Sequence, residues 1–196
     1  MDVFLETERL LLRCFTMNDV HNIVALDGDP DVMRYISGGL PTPREEIETD
    51  ILPAWLSYYE RFASYGFWAA HEKSSGEFLG WFHFRPPPGH PPDDVELGYR
   101  LRKPGWGKGY ATEGSRALIA QGFANQGVRR VFGFTMVVNA ASRRVMEKAG
   151  LKLVRIVHRD WPIYVDGDEH GETEYALTQA EWQAEQRAHG HANSNH

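Results

Sequence analysis

Cysteine is nearly missing from this chain of 196 residues: Cys14, within the apolar run RLLLRCF, is the only one, so no disulfide framework can form inside the chain. A lone thiol among leucines reads as a small buried apolar side chain. No stretch approaches the 18 or so apolar residues of a membrane-spanning helix. The opening MDVFLETER carries acids where a secretory signal needs a basic region ahead of an apolar one. These absences predict a cytoplasmic protein with no membrane partner. Positive charge is also short, since 21 Lys and Arg against 27 Asp and Glu give a formal charge of −6. That balance argues against a protein built to displace counterions from nucleic acid.

The chain has no internal repeat and no dividing linker. With 42% hydrophobic and 12% aromatic residues it has enough apolar material for one core, and a single domain is expected over residues 1–186. From residue 187 the tail RAHGHANSNH lacks an apolar face and reads as disordered, and its histidines define no metal site.

Residues 9–15 read as a first strand, followed by a helix opened by a capping box of Thr16 and Asp19. Thr42 as N-cap, Pro43 and Glu45 announce a second helix, with Ile47, Ile51, Trp55 and Tyr59 four residues apart and Pro53 set to bend or split it. GFWAAHEK and EFLGWFHFRP flank the turn signal SSG as a hairpin. RPPPGHPPDD is a loop, and VELGYRLRK is a strand running into KPGWGKGYATEG. A helix follows in which Ala111, Ser115, Leu118, Ile119, Gly122 and Phe123 share one face, then a strand RRVFGFTMVV, a short helix NAASRRVMEKAG, a strand LKLVRIVHR and a last strand in TEYALTQAEW.

A strand, a glycine-rich turn and a helix in succession place free backbone N–H groups where an anion can reach them. Two readings stand for the turn: a phosphate cradle, or a tight corner that needs glycine. A nucleoside-triphosphatase loop would need glycine at position 102 and Ser or Thr at 109, where the chain has Arg102 and Gly109. A dinucleotide motif would need glycine where Thr112 stands, and an acid where the next strand ends at Asn139.

GYRLRKPGWGKGYATEG, followed after one helix and one strand by NAASRRVMEKAGL, resembles the GNAT superfamily of acyl-CoA-dependent N-acyltransferases. TERLLLR and NDV near the start are similar to its ribosomal-protein N-terminal (Rim-type) branch. The resemblance implies an α/β fold, with a mixed, largely antiparallel sheet, helices on both faces and a splayed central strand. It implies acetyl-CoA as cosubstrate, no metal, and a primary amine as acceptor. That amine is a protein N-terminus or, alternatively, belongs to a small molecule such as an antibiotic or polyamine. A non-catalytic acyl-CoA-binding module is the other alternative, and a homodimer is compatible with the family.

By the same resemblance, Trp106, Gly107, Lys108, Gly109, Tyr110, Ala111 and Thr112 wrap the CoA pyrophosphate, while Leu101, Arg102 and Lys103 run beside the pantetheine arm. An Arg102-x-x-Gly105-x-Gly107 register fits the loop equally. Asn139 and Ser142 match positions facing pantetheine and thioester, and both also suit helix capping. The tyrosine that often protonates the departing thiolate falls at Met146, leaving Ser142 or water for that task. A protonated amine needs a base. Alternation along VELGY makes Glu96 the candidate, its other reading being a sheet-surface pair with an arginine. His158, His170 and Glu172 are weaker candidates. The acidic run DGDEHGETE is either an attractor for a cationic amine or a solvated loop.

Overall fold

A computed structural model describes residues 2–193, with side chains through residue 188. Eight strands form one sheet in the order β1-β2-β3-β4-β5-β6-β8-β7. They are β1 (Val3–Glu6), β2 (Leu10–Cys14), β3 (Gly66–Glu72), β4 (Phe78–Arg85), β5 (Asp94–Leu101), β6 (Arg130–Met136), β7 (Lys152–Val157) and β8 (Glu172–Thr178). Every neighbouring pair is antiparallel except β5 and β6. That parallel joint has three rungs, Asp94↔Arg130, Val95↔Val131 and Glu96↔Phe132, and there it stops. β5 continues along β4 to Leu101, and β6 continues along β8 to Met136. The sheet therefore opens into a V beyond Glu96, which is the splayed central strand implied by the family resemblance.

The two faces carry separate cores. On one, Leu10, Trp68, Phe82, Phe84 and Leu97 pack against Leu118, Ile119 and Phe123 of helix α5 (Tyr110–Asn125) and Met146 of α6 (Ala140–Lys148). On the other, Phe67, Ala69 and Trp81 meet α1 (Val20–Asp27), α2 (Pro30–Ser37) and the helical segment 44–61. The small residues on α5 do what their spacing predicts. A Cβ at Gly114 would fall 2.4 Å from the Phe82 ring and one at Gly122 2.6 Å from Phe84, so α5 lies directly on β4.

Four elements depart from the sequence reading. The strand at residues 9–15 is the second, since β1 precedes it, and α2 falls in a segment given no element. Thr42 does not cap a helix; its hydroxyl donates to Asp27 Oδ2 at 2.8 Å. The following helix consists of α3 (Arg44–Glu46), a π turn (Ile47–Ile51) and α4 (Leu52–Arg61). Pro53 explains the turn: it has no N–H to continue the ladder, and the backbone widens just before it, Leu52 donating five residues back to Ile47. Lastly, α7 spans Gln179–Asn193, into the stretch expected to be disordered. It is begun by Glu181, which accepts from the Thr178 amide and hydroxyl at 2.9 and 2.7 Å. Residues 194–196 of that expected tail lie outside the described ones. Among the described residues no helix is long and apolar enough to cross a membrane.

The capping box at Thr16 does more than start a helix. Asp19 is 3% exposed and accepts from the Thr16 amide (2.9 Å) and from both terminal nitrogens of Arg13 (2.8 and 2.6 Å), tying β2 to α1. Burial opposes its charge, but these donors win and hold its pKa at about 2. Because the folded value is depressed, the stabilisation is present above the ordinary carboxylate pKa and is lost as pH falls through the folded one. A carboxyl shifted this far contributes about 2 kcal/mol at neutral pH. Asp19→Ala, which leaves Arg13 buried without its partner, should cost about 3–5 kcal/mol in urea unfolding at pH 7. The wild-type advantage over the variant should shrink between about pH 4 and pH 2; a pH-independent difference would contradict this role.

Candidate active site

The glycine-rich segment follows β5 directly. A short 3₁₀ turn (Lys103–Gly105) leads to Gly107 and Gly109, whose φ angles of 72° and 85° are left-handed, a region open to glycine at little cost. A Cβ at Gly107 would meet nothing within 4 Å, so glycine there serves the backbone conformation and leaves the approach clear. Helix α5 starts at Tyr110, and Glu113 is the first residue to donate back, to Gly109 at 2.9 Å. Among the described residues nothing accepts from the amides of Gly107, Lys108, Gly109, Tyr110, Ala111 or Thr112. Six unpaired donors at the positive end of a sixteen-residue helix form a ready anion cradle.

The cradle is anchored from the other end of the chain. Glu113 accepts from the Thr7 hydroxyl (2.5 Å), the Arg9 amide (2.9 Å) and Arg9 Nε (2.7 Å). Burial pushes its pKa up, but these donors prevail and keep it below the usual range. Arg9 also donates to the Lys108 carbonyl at 2.9 Å and lies over the Tyr110 ring. Tyr110 in turn donates to Glu72 on β3. The sequence reading missed Arg9 and Glu113, which are 104 residues apart and carry no local signal.

Main-chain groups of β5 are partly committed. The Arg102 amide donates to Leu79 (2.8 Å), the Leu101 carbonyl accepts from the Trp106 indole (2.7 Å), and Lys103 pairs with Asp31. With Arg102 turned toward β4, ladder alternation turns the amides of Tyr99 and Leu101 into the V. Asn139 caps α6, its side-chain oxygen accepting from the Ser142 amide at 3.1 Å. The Ser142 hydroxyl is 3.0 Å from the Tyr99 hydroxyl, which also reaches the Ser142 carbonyl at 3.1 Å. Tyr99, not singled out in the sequence, thus bridges β5 and α6 across the opening. Burial raises its pKa, opposed by the hydrogen bond with Ser142. Met146 is 2% exposed and packs against Gly133, with no part in this hydroxyl pair.

Glu96 occupies the vertex of the V, on the last parallel rung. Its Oε2 lies 3.5 Å from Arg85 and 3.8 Å from His83 Nε2. Burial raises its pKa, opposed by Arg85, Arg159 and His90. His83 lies on β4 opposite Gly98, where a Cβ would come within 2.5 Å of the imidazole. Burial, then Arg85 and Arg100, push its pKa down to about 3, so the ring is neutral at working pH. Glu172 lies near Glu96, whereas His170 sits in an exposed turn beside Glu169 and His158 follows β7. A separate cleft of about 340 Å³, lined by Leu26, Asp29, Val32, Arg102 and Pro104, lies between α1–α2 and the start of the glycine segment; Glu96 is not on its walls. Among the described residues no group of three His, Cys, Asp or Glu side chains is arranged to hold a metal.

A sheet that parts at one parallel joint, followed by a helix with an uncapped N-terminus, offers a slot for an extended arm and free amides for an anionic group. Residues 9–152 match the acetyltransferase (GNAT) domain family. The chain is 34% identical over 165 residues to the FsC-acetyl coenzyme A-N(2)-transacetylase of Aspergillus fumigatus, spanning 80% of this chain and 68% of that one. It superposes on a GNAT-family acetyltransferase from Bacillus anthracis with a TM-score of 0.72 at 25% identity, over 92% of this chain and all of the other. A ribosomal α-N-protein acetyltransferase solved with coenzyme A shares the fold, with a TM-score of 0.74 at 19% identity over 90% of this chain and 98% of that one. The chain belongs to the GNAT family and is an acetyl-CoA-dependent N-acetyltransferase.

The cradle gives a direct test. Gly107→Ala places a Cβ on left-handed backbone at about 1–2 kcal/mol and beside the free amides. Calorimetry should show acetyl-CoA affinity falling about tenfold or more in a protein that still unfolds cooperatively. Unchanged affinity in both Gly107→Ala and Gly109→Ala would remove the cradle.

Proposed function

We propose that this enzyme acetylates a primary amine, with the cofactor's pyrophosphate on the amides of Gly107 to Thr112, its arm in the V between β5 and β6, and Glu96 as general base. One observation carries the reading: a half-buried acid stands at the vertex of the opening whose far end is the unpaired N-terminus of α5. Acetyl-CoA supplies the activated acyl group. The residues supply position and proton transfer. Leu101, Arg102 and Lys103 form the wall beside the arm, and the Trp106 indole fixes the Leu101 carbonyl. Asn139 holds the start of α6, and so the Ser142 hydroxyl, at the opening.

An aliphatic ammonium arrives protonated, with a pKa near 10.4 for a lysine-type amine and near 8 for an α-amine. Glu96 takes that proton directly or through water, and its pKa, raised by burial, makes it a stronger base than an exposed glutamate. Neutral His83 adds no competing charge. At the sulfur, the hydroxyls of Tyr99 and Ser142 donate hydrogen bonds to the charge that develops. Burial keeps Tyr99 protonated, so it stabilises the charge without losing its own proton. The Aspergillus relative, named for transfer to an N(2) nitrogen, supports an amine acceptor. An α-amine of a protein N-terminus and the amine of a small molecule both satisfy this chemistry.

The experiment is thiol release from acetyl-CoA across a panel of α-amines, lysine-type amines and small amines. With the best acceptor, Glu96→Gln should lower kcat about 10²- to 10⁴-fold while acetyl-CoA affinity holds. The loss should shrink as pH approaches the acceptor's own pKa; a loss constant with pH would make Glu96 a structural partner of Arg85. Tyr99→Phe should lower kcat about tenfold or more with a small change in melting temperature, and wild-type kcat would remove Tyr99 from the leaving-group side.

A further inference from the structure

His83 and Glu96 are diagonal neighbours on one face of the sheet. The register sets Arg85 opposite Glu96 and His83 opposite Gly98, which brings the imidazole and the carboxylate together across one step of the β4–β5 ladder. The ring lies flat over β5, and only glycine at position 98 allows this: a Cβ there would fall 2.5 Å from Cε1 and 2.6 Å from Nε2. Glycine inside a strand weakens the sheet and marks a close approach; here the imidazole is what approaches. Phe67, edge-on at 5.4 Å, and Trp81, stacked at 5.8 Å, hold the ring in that position.

A ring fixed so firmly has a nitrogen with nothing to bind. His83 Nε2 is buried, and among the described residues no group hydrogen-bonds to it. A buried polar atom left in that state costs about 1–3 kcal/mol, and such atoms call for a partner that the chain itself does not supply. Glu96 Oε2 lies 3.8 Å away, beyond hydrogen-bond reach, and is 3.5 Å from Arg85. Two hydrogen bonds of about 2.9 Å from one nitrogen set their acceptors about 4–5 Å apart, close to the gap observed. The side chains of Glu96 and His83 are 23% and 13% exposed, so a donor reaches the pair over Glu96. Burial, then Arg85 and Arg100, hold the imidazole neutral near pH 7, and a neutral imidazole keeps one ring nitrogen with a free lone pair.

We propose that His83 Nε2 is a second hydrogen-bond acceptor for the reacting amine, which bridges His83 and Glu96 with its lone pair left free to face the thioester. The proposal rests on the amine-acetylating reading of this site. Glu96 takes one proton from the ammonium, an N–H bond breaking and an O–H bond forming, and later returns it to solvent. One of the two remaining N–H groups stays on Nε2, which fixes the direction of the lone pair. That pair forms the bond to the carbonyl carbon and the C–S bond breaks. Sulfur leaves with the bonding electrons and receives, through water or the nearby hydroxyls, the proton that nitrogen sheds. His83 gains no proton at any stage; it aims the nucleophile.

The test is thiol release from acetyl-CoA with glycinamide and n-butylamine, comparing the wild type with His83→Gln, His83→Phe and Gly98→Ala. His83→Gln puts an acceptor oxygen near the place of Nε2, whereas His83→Phe keeps a ring against Phe67 and Trp81 and has no acceptor. His83→Phe should lower kcat about ten- to a hundredfold with acetyl-CoA affinity unchanged in calorimetry. His83→Gln should recover most of that loss, and Gly98→Ala, which drives the ring off β5, should match His83→Phe. A packing role predicts the reverse order, with His83→Phe faster than His83→Gln; that order, or equal rates in all four proteins, would overturn the proposal. Nitrogen-15 NMR of the wild type gives a readout that needs no active variant. The His83 signals, assigned by their loss in His83→Gln, should show Nε2 without a proton and should move when n-butylamine is added to the protein holding coenzyme A. A proton on Nε2, or signals that stay in place, would overturn the proposal even where both amines are acetylated. The role of Glu96 is judged separately. Wild-type turnover in Glu96→Gln, with His83→Gln faster than His83→Phe, keeps the acceptor and rejects the base; lost turnover in Glu96→Gln, with His83→Phe as fast as wild type, does the reverse.

Discussion

Strands β5 and β6 share three rungs and then part, and the rest of the molecule is arranged around that separation. Beyond the joint each strand is paired on its other edge, β5 with β4 and β6 with β8, so the two halves of the sheet keep their antiparallel ladders and their own twist. The short parallel joint is the one place where the sheet can open without losing those ladders. Gly133 lets the halves approach at the vertex, since a Cβ there would strike the Leu97 carbonyl at 2.8 Å and the Met146 methyl at 2.7 Å. Met146 thus has a packing use at the position where the family resemblance implied a proton-donating tyrosine.

Opening a sheet exposes main-chain groups that otherwise need partners, and the arm of the cofactor is proposed to meet that need. The helix that follows β5 carries the same deficit at its N-terminus. Its amides stay free because the loop before them contributes no capping side chain and because Glu113 is held sideways by Thr7 and Arg9. The groups proposed for the chemistry stand where the deficit begins: Glu96 on the last rung, and Tyr99 and Ser142 joined across the gap.

Sequence made the conformation of the glycine segment legible and left the pairs formed by folding obscure. Glycine at 107 and 109, the strand before and the helix after are local facts with local physical causes, and the structure gives both glycines left-handed φ. Asn139 is legible as a cap for the same reason. Pro53 forecast a disturbance, although not that the backbone would answer with a π turn. Thr42 failed as a cap because a tertiary partner, Asp27, takes its hydroxyl. Arg9 with Glu113, Tyr99 with Ser142, and His83 with Glu96 are pairs made by folding, and no spacing announces them. Glu172 was visible in the sequence as a weaker candidate base within an acidic run. Its orphaned oxygen is a property of packing.

The open V and the free helix amides are proposed to form one binding site for acetyl-CoA. Amide hydrogen exchange with and without saturating acetyl-CoA tests it residue by residue. Binding should bring new protection at Gly107 to Thr112 together with Tyr99 and Leu101, and little change along β2 and β3. Saturation of the protein with acetyl-CoA while those amides exchange as before would contradict it.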